Sequence, residues 1–203
     1  MSNEMKLLIA THNRGKLREY RELLDGLPYE LVTLDDVGIT HDIEETGATF
    51  EENARIKAIA YSQQSGLLTI ADDSGLEVDA LGGEPGVYSK RYAGDGASDS
   101  DRIHFLLNKL RDVPDTKRSA RFRCVIVIAD AQGKQWTSAG KCEGKIAFAP
   151  RGTNGFGYDP VFLMADYNFV QTMAELPEAE KNRVSHRGRA TEGARKILES
   201  LKS

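Results

Sequence analysis

The chain has 203 residues, of which 40% are hydrophobic and 29% charged, and its formal net charge is −4. This length suits one sizeable core without requiring a second domain, and the acidic balance argues against a nucleic-acid-coating protein. No apolar run approaches the roughly 20 residues of a membrane span. Cys124 and Cys142 lack metal-ligand spacing, so we expect buried free thiols in a cytoplasmic protein.

The first predicted elements are a strand over residues 6–10 and a helix with Leu17 and Tyr20 on one face. The turn between them consists of Thr11, His12, Asn13, Arg14, Gly15 and Lys16. Backbone N–H groups at a helix start favour an anion, and Lys16 adds a full charge. Because the Walker A spacing is absent, a solvated helix start remains the alternative to a phosphate-binding turn.

A second apolar stretch, residues 31–34, leads into an acidic loop that contains Glu44 and Glu45. Thr49, followed three residues later by Glu52, predicts a capping box at the start of a helix that stops at Gly66. Asn53 and Lys57 are four residues apart and therefore share one face of this helix.

The next predicted strand, which begins at residue 67, ends at Asp72 and Asp73, followed by Ser74 and Gly75. Ligands of open α/β sheets bind outside the carboxyl ends of the strands. A carboxylate there is costly to desolvate unless it is paired or holds a cation. We therefore expect either a metal or acid/base site or an ordinary Asx turn.

The segment from Gly82 to Gly96 contains several glycines and predicts a loop-rich region. A helix is expected to follow it over residues 99–110. The β-branched run 122–129 and the segment 135–143 predict a hairpin, and residues 161–163 predict a short strand. Ser185 is the expected N-cap of the last helix. This order of elements predicts an α/β fold with a mixed sheet.

Two further polar segments carry binding chemistry. The glycine-rich turn contains Phe156, Gly157, Tyr158 and Asp159. Phe156 lies between two glycines and suits stacking on a flat ring, although a packed aromatic turn is the alternative. At the last helix, Lys181, His186 and Arg187 crowd an N-terminus that disfavours cations. Either an anion bound at this helix start or a solvated basic patch on the surface would explain these cations.

Carboxylates, several cations and an aromatic ring together describe a nucleoside triphosphate site. Mg²⁺ takes one or two protein carboxylates and uses the phosphates of the substrate for other positions. Glu44 or Glu45 could join Asp73 as the second carboxylate.

The same residues resemble the inosine/xanthosine triphosphate pyrophosphatase family over nearly the whole chain. The resemblance lies in six blocks in the order of the family: Thr11-x-Asn13-x-x-Lys16; Glu44-Glu45-Thr46-Gly47-x-Thr49-Phe50-x-x-Asn53-Ala54; Ala71-Asp72-Asp73-Ser74-Gly75-Leu76; Gly83-x-Pro85-Gly86-Val87-Tyr88-Ser89-x-Arg91-Tyr92; Phe156-Gly157-Tyr158-Asp159-Pro160; and Lys181-x-x-x-Ser185-His186-Arg187. His12 is a departure, since many relatives carry a small residue there, and Asn154 is a milder one.

The resemblance implies one domain over residues 1–203 with two lobes around a central cleft. It also implies an elongated, curved mixed sheet with flanking helices, and a homodimer. The implied reaction is Mg²⁺-dependent hydrolysis of ITP, dITP and XTP to the monophosphate and pyrophosphate, which cleanses the nucleotide pool.

Residue by residue, the resemblance implies Asp73 as proton acceptor and metal ligand, and Glu44 as the other metal ligand. Ser74 and the turn 11–16 would bind phosphate, together with Asn53 and Lys57 as substrate contacts. The implied base-reading residues are Phe156, Gly157, Tyr158, Asp159, Lys181, His186 and Arg187.

Two other functions remain open at this point. An aspartyl-phosphate phosphatase also presents aspartates at a strand end, but such sites favour Asp-x-Asp over Asp-Asp-Ser. A non-catalytic purine nucleotide sensor would use the carboxylates only to anchor Mg²⁺. An RNA-binding role is disfavoured because aromatic residues do not interleave with the basic ones.

Overall fold

The computed structural model describes residues 5–202. Six strands form a mixed sheet in the order β2-β1-β3-β4-β5-β6. The strands are β1 (Met5–Ile9), β2 (Tyr29–Thr33), β3 (Leu68–Val78), β4 (Ser119–Ala129), β5 (Gln135–Ile146) and β6 (Phe162–Met164). β1 pairs in parallel with β2 and β3, whereas β5 and β6 are antiparallel. The predicted α/β class and mixed sheet are confirmed.

Five α-helices accompany these strands in the described part of the chain: α1 (Arg14–Leu23), α2 (Phe50–Ser65), α3 (Asp99–Lys109), α4 (Glu178–Val184) and α5 (His186–Ser200). The predicted capping box of α2 is present, and Gly66 ends that helix with a φ of 71°. Ser185 Oγ accepts the Gly188 amide at 3.1 Å, as expected of the N-cap of α5. None of the helices within residues 5–202 is long and apolar enough to cross a membrane.

The chain divides into two compact units. The first comprises residues 5–73, 124–140 and 189–202, and the second comprises residues 74–123 and 141–188.

The core of the first unit follows from the alternation of side chains along β1. Leu7 and Ile9 pack in a cluster with residues of α1 and α5, while Leu8 packs in a second cluster with Ala54 and Ala58 of α2. Successive side chains of a strand point to opposite faces. The sheet of this unit is therefore covered by helices on both faces, which buries its near-continuous apolar runs.

The second unit has a single apolar cluster. Leu76 and Val78 of β3, Leu106 of α3 and Phe162 of β6 are fully buried in it. Both cysteines are free and buried, as predicted.

The prediction that β3 ends at the two aspartates is wrong. The strand continues through Asp72 and Asp73 to Val78. The apolar side chains Leu76 and Val78 extend its buried pattern, and the Leu76 amide donates to Ser89 Oγ at 2.9 Å. The carboxylates therefore lie in the middle of a strand, not in a turn.

Smaller differences concern the second unit. The expected loop region contains a 3-10 helix over Gly86–Arg91, β6 begins at Phe162, one residue later than predicted, and α4 was not predicted. Pro177 occupies the N-cap position of α4.

The cap of α2 allows a first prediction. Thr49→Ala removes the acceptor for the Glu52 amide, which lies 3.2 Å from Thr49 Oγ1. We expect the free energy of unfolding in urea to fall by about 1 kcal/mol. Gln64→Ala, at an exposed position of the same helix, should change it by less than about 0.5 kcal/mol. Equal stability of the two variants would contradict the assignment of the cap.

Candidate active site

Asp73 is one of the buried carboxylates of the predicted site. It lies on β3 with 6% of its surface exposed, and its Oδ2 accepts the side-chain amide of Asn53 at 3.0 Å. Burial raises the pKa of Asp73, and the positive charge of Lys57 only partly opposes this. A buried, basic carboxylate of this kind can accept a proton or bind a cation.

Lys57 stands one turn after Asn53 on α2, so the capped helix places both side chains on one face. Its ammonium group donates to a carboxylate oxygen of Glu45 and to the main-chain carbonyl of Asp72 at 2.7 Å. Burial by itself would lower the pKa of Lys57, but the charges of Glu45, Asp73 and Asp72 raise it overall. Lys57 therefore stays charged.

Asp72 points to the opposite face of β3, as alternation requires. Its carboxylate is 1% exposed and lies 2.9 Å from Lys16 Nζ, and Cys124 Sγ lies 3.7 Å from the same oxygen. Asp72 therefore contacts one lysine through its side chain and the other through its carbonyl. From the sequence, Asp72 was expected to share a metal or acid/base site with Asp73, whereas its carboxylate pairs with Lys16 on the opposite face of the strand.

The turn 11–16 forms the capped start of α1. Asn13 is the N-cap, and its Oδ1 accepts the amides of Gly15 at 2.9 Å and Lys16 at 3.2 Å. The Asn13 amide in turn donates to Thr11 Oγ1 at 3.2 Å. The backbone donors expected to bind an anion are thus engaged by a side chain of the turn itself in this structure, while Arg14 is exposed.

His12, the departure from the family pattern, lies between two carboxylates. Its Nδ1 is 3.8 Å from Asp35 Oδ1 and its Nε2 is 3.9 Å from Asp42 Oδ1. Both aspartates are largely exposed, so these contacts are weak.

The acidic loop contributes two glutamates with different surroundings. Glu44 is exposed, whereas Glu45 is partly buried and paired with Lys57. Within residues 5–202 no group of three or more His, Cys, Asp or Glu side chains forms a metal site. Asp73 with one of these glutamates nevertheless supplies the hard oxygen donors that Mg²⁺ takes when phosphates complete its coordination. We call Lys16, Glu45, Asn53, Lys57, Asp72 and Asp73 the lysine–carboxylate cluster.

The second unit holds a different group, built around Phe156. Asp159 and Lys181 form a buried ion pair with 2.6 Å between Nζ and Oδ2, and each side chain is 4% exposed. Asp159 Oδ2 also accepts the Phe156 amide at 2.9 Å. Lys181 Nζ lies 4.6 Å and the Arg187 guanidinium carbon 5.7 Å from the centroid of the Phe156 ring. These four residues are the aromatic cluster.

Arg187 is 1% exposed and donates from Nη2 to Ser74 Oγ at 2.8 Å. The neighbouring His186 stacks on Phe122, with 4.7 Å between ring centroids and 12° between planes. Both residues begin α5, which their N-cap Ser185 fixes. The stacking and the Ser74 contact hold these two side chains in place.

The other two predicted residues of the turn, Gly157 and Tyr158, form hydrogen bonds with distant residues of the second unit. The Gly157 amide donates to Asp99 Oδ2 at 2.7 Å, and Tyr158 donates its hydroxyl to the Ser89 carbonyl at 3.0 Å. Asp99 was not expected to contribute. Its contact joins residues 58 positions apart, which no local sequence signal indicates.

Each cluster has its own chemistry. Two lysines with buried carboxylates suit a polyanion and a divalent cation, and a flat ring flanked by cations suits an aromatic ligand with oxygen acceptors. Within an α/β fold, this combination of groups is typical of nucleotide-binding enzymes.

Comparison with known proteins agrees with this class. A model of the Ham1 family matches residues 7–197. A Bacillus licheniformis protein named dITP/XTP pyrophosphatase is 50% identical over 194 residues, covering 96% of this chain and 98% of its own. A Geobacter sulfurreducens protein of the same name is 51% identical and covers 91% and 92%.

Solved structures give the same result. A HAM1 protein from Coxiella burnetii superposes with a TM-score of 0.87 at 43% identity and covers 97% of this chain and 99% of its own. The Ham1 protein of Staphylococcus aureus has a TM-score of 0.85 at 40% identity, with the same coverage. The chain belongs to the Ham1 family.

Proposed function

We propose that this chain is an Mg²⁺-dependent pyrophosphatase that hydrolyses dITP, ITP and XTP to the nucleoside monophosphate and pyrophosphate. The observation that carries this proposal is the roughly 50% identity, over nearly the whole chain, to proteins named dITP/XTP pyrophosphatase. The two clusters support it, because one suits a triphosphate and the other suits a base.

The lysine–carboxylate cluster acts on the triphosphate. Lys16 and Lys57 neutralise the negative charge that the phosphate oxygens carry, which is the main catalytic requirement in phosphoryl transfer. Asp72 keeps both ammonium groups in position. When a nucleotide binds, its phosphate oxygens replace part of the contacts that Asp72 makes with the two lysines. The turn 11–16 lies beside these oxygens.

Asp73 and Glu44, or Glu45 in its place, would hold the Mg²⁺ ion. When bound, Mg²⁺ would supply further charge neutralisation at the phosphates. Asp73 orients the attacking water and accepts its proton, and the hydrogen bond from Asn53 fixes the direction of its carboxylate.

The aromatic cluster selects the base. Phe156 stacks on the purine, and donors from Arg187 and His186 meet the 6-oxo group of hypoxanthine or xanthine. Adenine presents an amino group at the same position, so the buried donors of Arg187 and His186 would face another donor instead of an acceptor. A site that requires a hydrogen bond can discriminate by about 10⁴ to 10⁵.

The whole chain is proposed to act as a single domain, to form a homodimer, and to bind neither nucleic acid nor membranes. A cytoplasmic location is consistent with two buried free thiols, which are typical of a reducing compartment.

Nucleotide selectivity tests this function. We expect kcat/KM for dITP and XTP to exceed the value for ATP by about 10⁴ or more, with turnover dependent on added Mg²⁺. A pyrophosphate-release assay across dITP, XTP, GTP and ATP measures this. Equal turnover of ATP, or binding of XTP without any product, would contradict the proposal.

Phe156→Ala allows a further prediction about the base. Stacking of one base on an aromatic ring contributes about 1–3 kcal/mol, so KM for XTP should rise roughly tenfold to a hundredfold while kcat changes less. Phe169→Ala, at a partly exposed aromatic position of the same unit, is the control and should leave KM unchanged. An unaltered KM in Phe156→Ala would contradict the proposed stacking of Phe156 on the purine.

A further inference from the structure

Asp99 connects the start of α3 to the turn that carries Phe156. Its Oδ2 accepts the amide of Gly157 at 2.7 Å, and this contact lies within the second unit. The preceding amide, that of Phe156, donates to Asp159 Oδ2 at 2.9 Å. Two consecutive amides that flank the aromatic side chain are therefore each held by a carboxylate.

The two carboxylates differ in how they are supported. Asp159 belongs to the turn itself and is paired with Lys181. Asp99 belongs to a helix whose start is fixed by a capping box of Ser98 and Asp101. Asp99 therefore attaches the turn to the start of α3, whereas Asp159 attaches it to α4 through Lys181.

Arg102 in turn fixes the carboxylate of Asp99. One nitrogen of its guanidinium donates to Asp99 Oδ1, and the other donates to the carbonyls of Ala97 and, at 2.9 Å, Lys90. The Asp99 side chain thus has its second oxygen engaged and its orientation set. A carboxylate that accepts a backbone N–H makes a strong, charge-assisted hydrogen bond.

Gly157 gives this contact its direction. Its φ is 63°, in the left-handed region that favours glycine. In this conformation the Gly157 amide faces Asp99, while the ring of Phe156 lies within 4.6 Å of Lys181 Nζ. Asp99 therefore holds the peptide group that directly follows the Cα atom carrying the ring.

We propose that Asp99 is a positioning residue that sets the affinity for the purine by holding the Phe156 turn, without touching the nucleotide. This inference rests on the proposed function. Loss of the contact frees the turn to move, and small displacements of binding groups have large effects on recognition. The loss falls on binding, so KM changes and kcat is largely kept.

Three variants test the inference. In Asp99→Ala we expect KM for XTP and dITP to rise about tenfold or more, with kcat within about threefold of wild type, because a hydrogen bond to a charged group is lost. Asp99→Asn retains one oxygen that can accept the Gly157 amide, but its NH2 group cannot accept from Arg102, so it should recover part of the affinity. Asp112→Ala is the matched control, since it removes an aspartate of the same unit whose side chain is 91% exposed.

Inhibition by inorganic pyrophosphate gives a second readout. Pyrophosphate lacks a base, so its inhibition constant should be unchanged in Asp99→Ala. A wild-type KM in Asp99→Ala, or the same rise in KM in Asp112→Ala, would overturn the inference alone. Absence of XTP and dITP turnover in the wild-type chain would instead overturn the proposed function and this inference with it.

Discussion

Asp73→Asn is expected to lower kcat for XTP by at least about 10³. General-base assistance contributes roughly 10² to 10⁴, and the substitution also removes the negative charge of the proposed Mg²⁺ ligand. The measurement is steady-state pyrophosphate release at saturating nucleotide. Asp112→Asn, which changes an aspartate whose side chain is 91% exposed, should keep the wild-type kcat.

The same substitution should not destabilise the fold. Burial raises the pKa of Asp73 in the folded chain above its ordinary value, so the ionised carboxylate disfavours folding once the pH exceeds the unfolded value. The unfolding free energy of Asp73→Asn, measured without Mg²⁺ at neutral pH, should therefore equal or exceed that of the wild type. The stability advantage of Asp73→Asn over the wild type should shrink as the pH falls towards the pKa that Asp73 has in the unfolded chain. Wild-type turnover in Asp73→Asn would contradict the assigned role, and unfolding of the variant would contradict the stability argument.

Lys16→Met is expected to reduce both turnover and stability. Removal of one preorganised charge at a reacting phosphate costs about 10² to 10³ in kcat. The variant also leaves the Asp72 carboxylate, which is 1% exposed, without its ion-pair partner. Breaking a buried pair from one side costs about 3–5 kcal/mol, and the lower end is expected because Cys124 remains in contact with Asp72. Urea unfolding and steady-state kinetics measure the two effects.

A double variant separates these two effects. Lys16→Met combined with Asp72→Asn removes the buried charge that Lys16 balances in the wild type, so most of the lost unfolding free energy should return while turnover stays low. If the double variant regained turnover, Lys16 would act only through stability. If Lys16→Met unfolded at the wild-type urea concentration, the buried ion pair would be irrelevant.

Local signals predicted the helices that carry the site. Thr49 with Glu52 indicated the start of α2, Gly66 indicated its end, and Ser185 indicated the start of α5. Because Asn53 and Lys57 follow at fixed distances from the cap of α2, their common face could be predicted from spacing alone.

The path of β3 through the site could not be predicted in the same way. Asp, Ser and Gly are ordinary turn residues, so the segment after Ile70 indicated a turn. Burial of Leu76 and Val78 in the apolar cluster of the second unit overrides this local preference. Such tertiary packing depends on α3 and β6, which are distant in sequence.

The partners of the charged residues could likewise not be predicted from the sequence. Lys16 pairs with Asp72 over 56 positions, and Asp99 accepts an amide from Gly157 over 58 positions. Aspartates in these places look no different from those at solvated helix starts or turns. The residue types indicated the chemistry, while the pairing required the fold.

Product analysis by ³¹P NMR after incubation of the wild-type chain with XTP and Mg²⁺ tests the central claim most directly. We expect equal amounts of the nucleoside monophosphate and pyrophosphate, with no orthophosphate. Formation of the nucleoside diphosphate with orthophosphate would contradict cleavage between the α- and β-phosphorus atoms, and with it the role given to the lysine–carboxylate cluster.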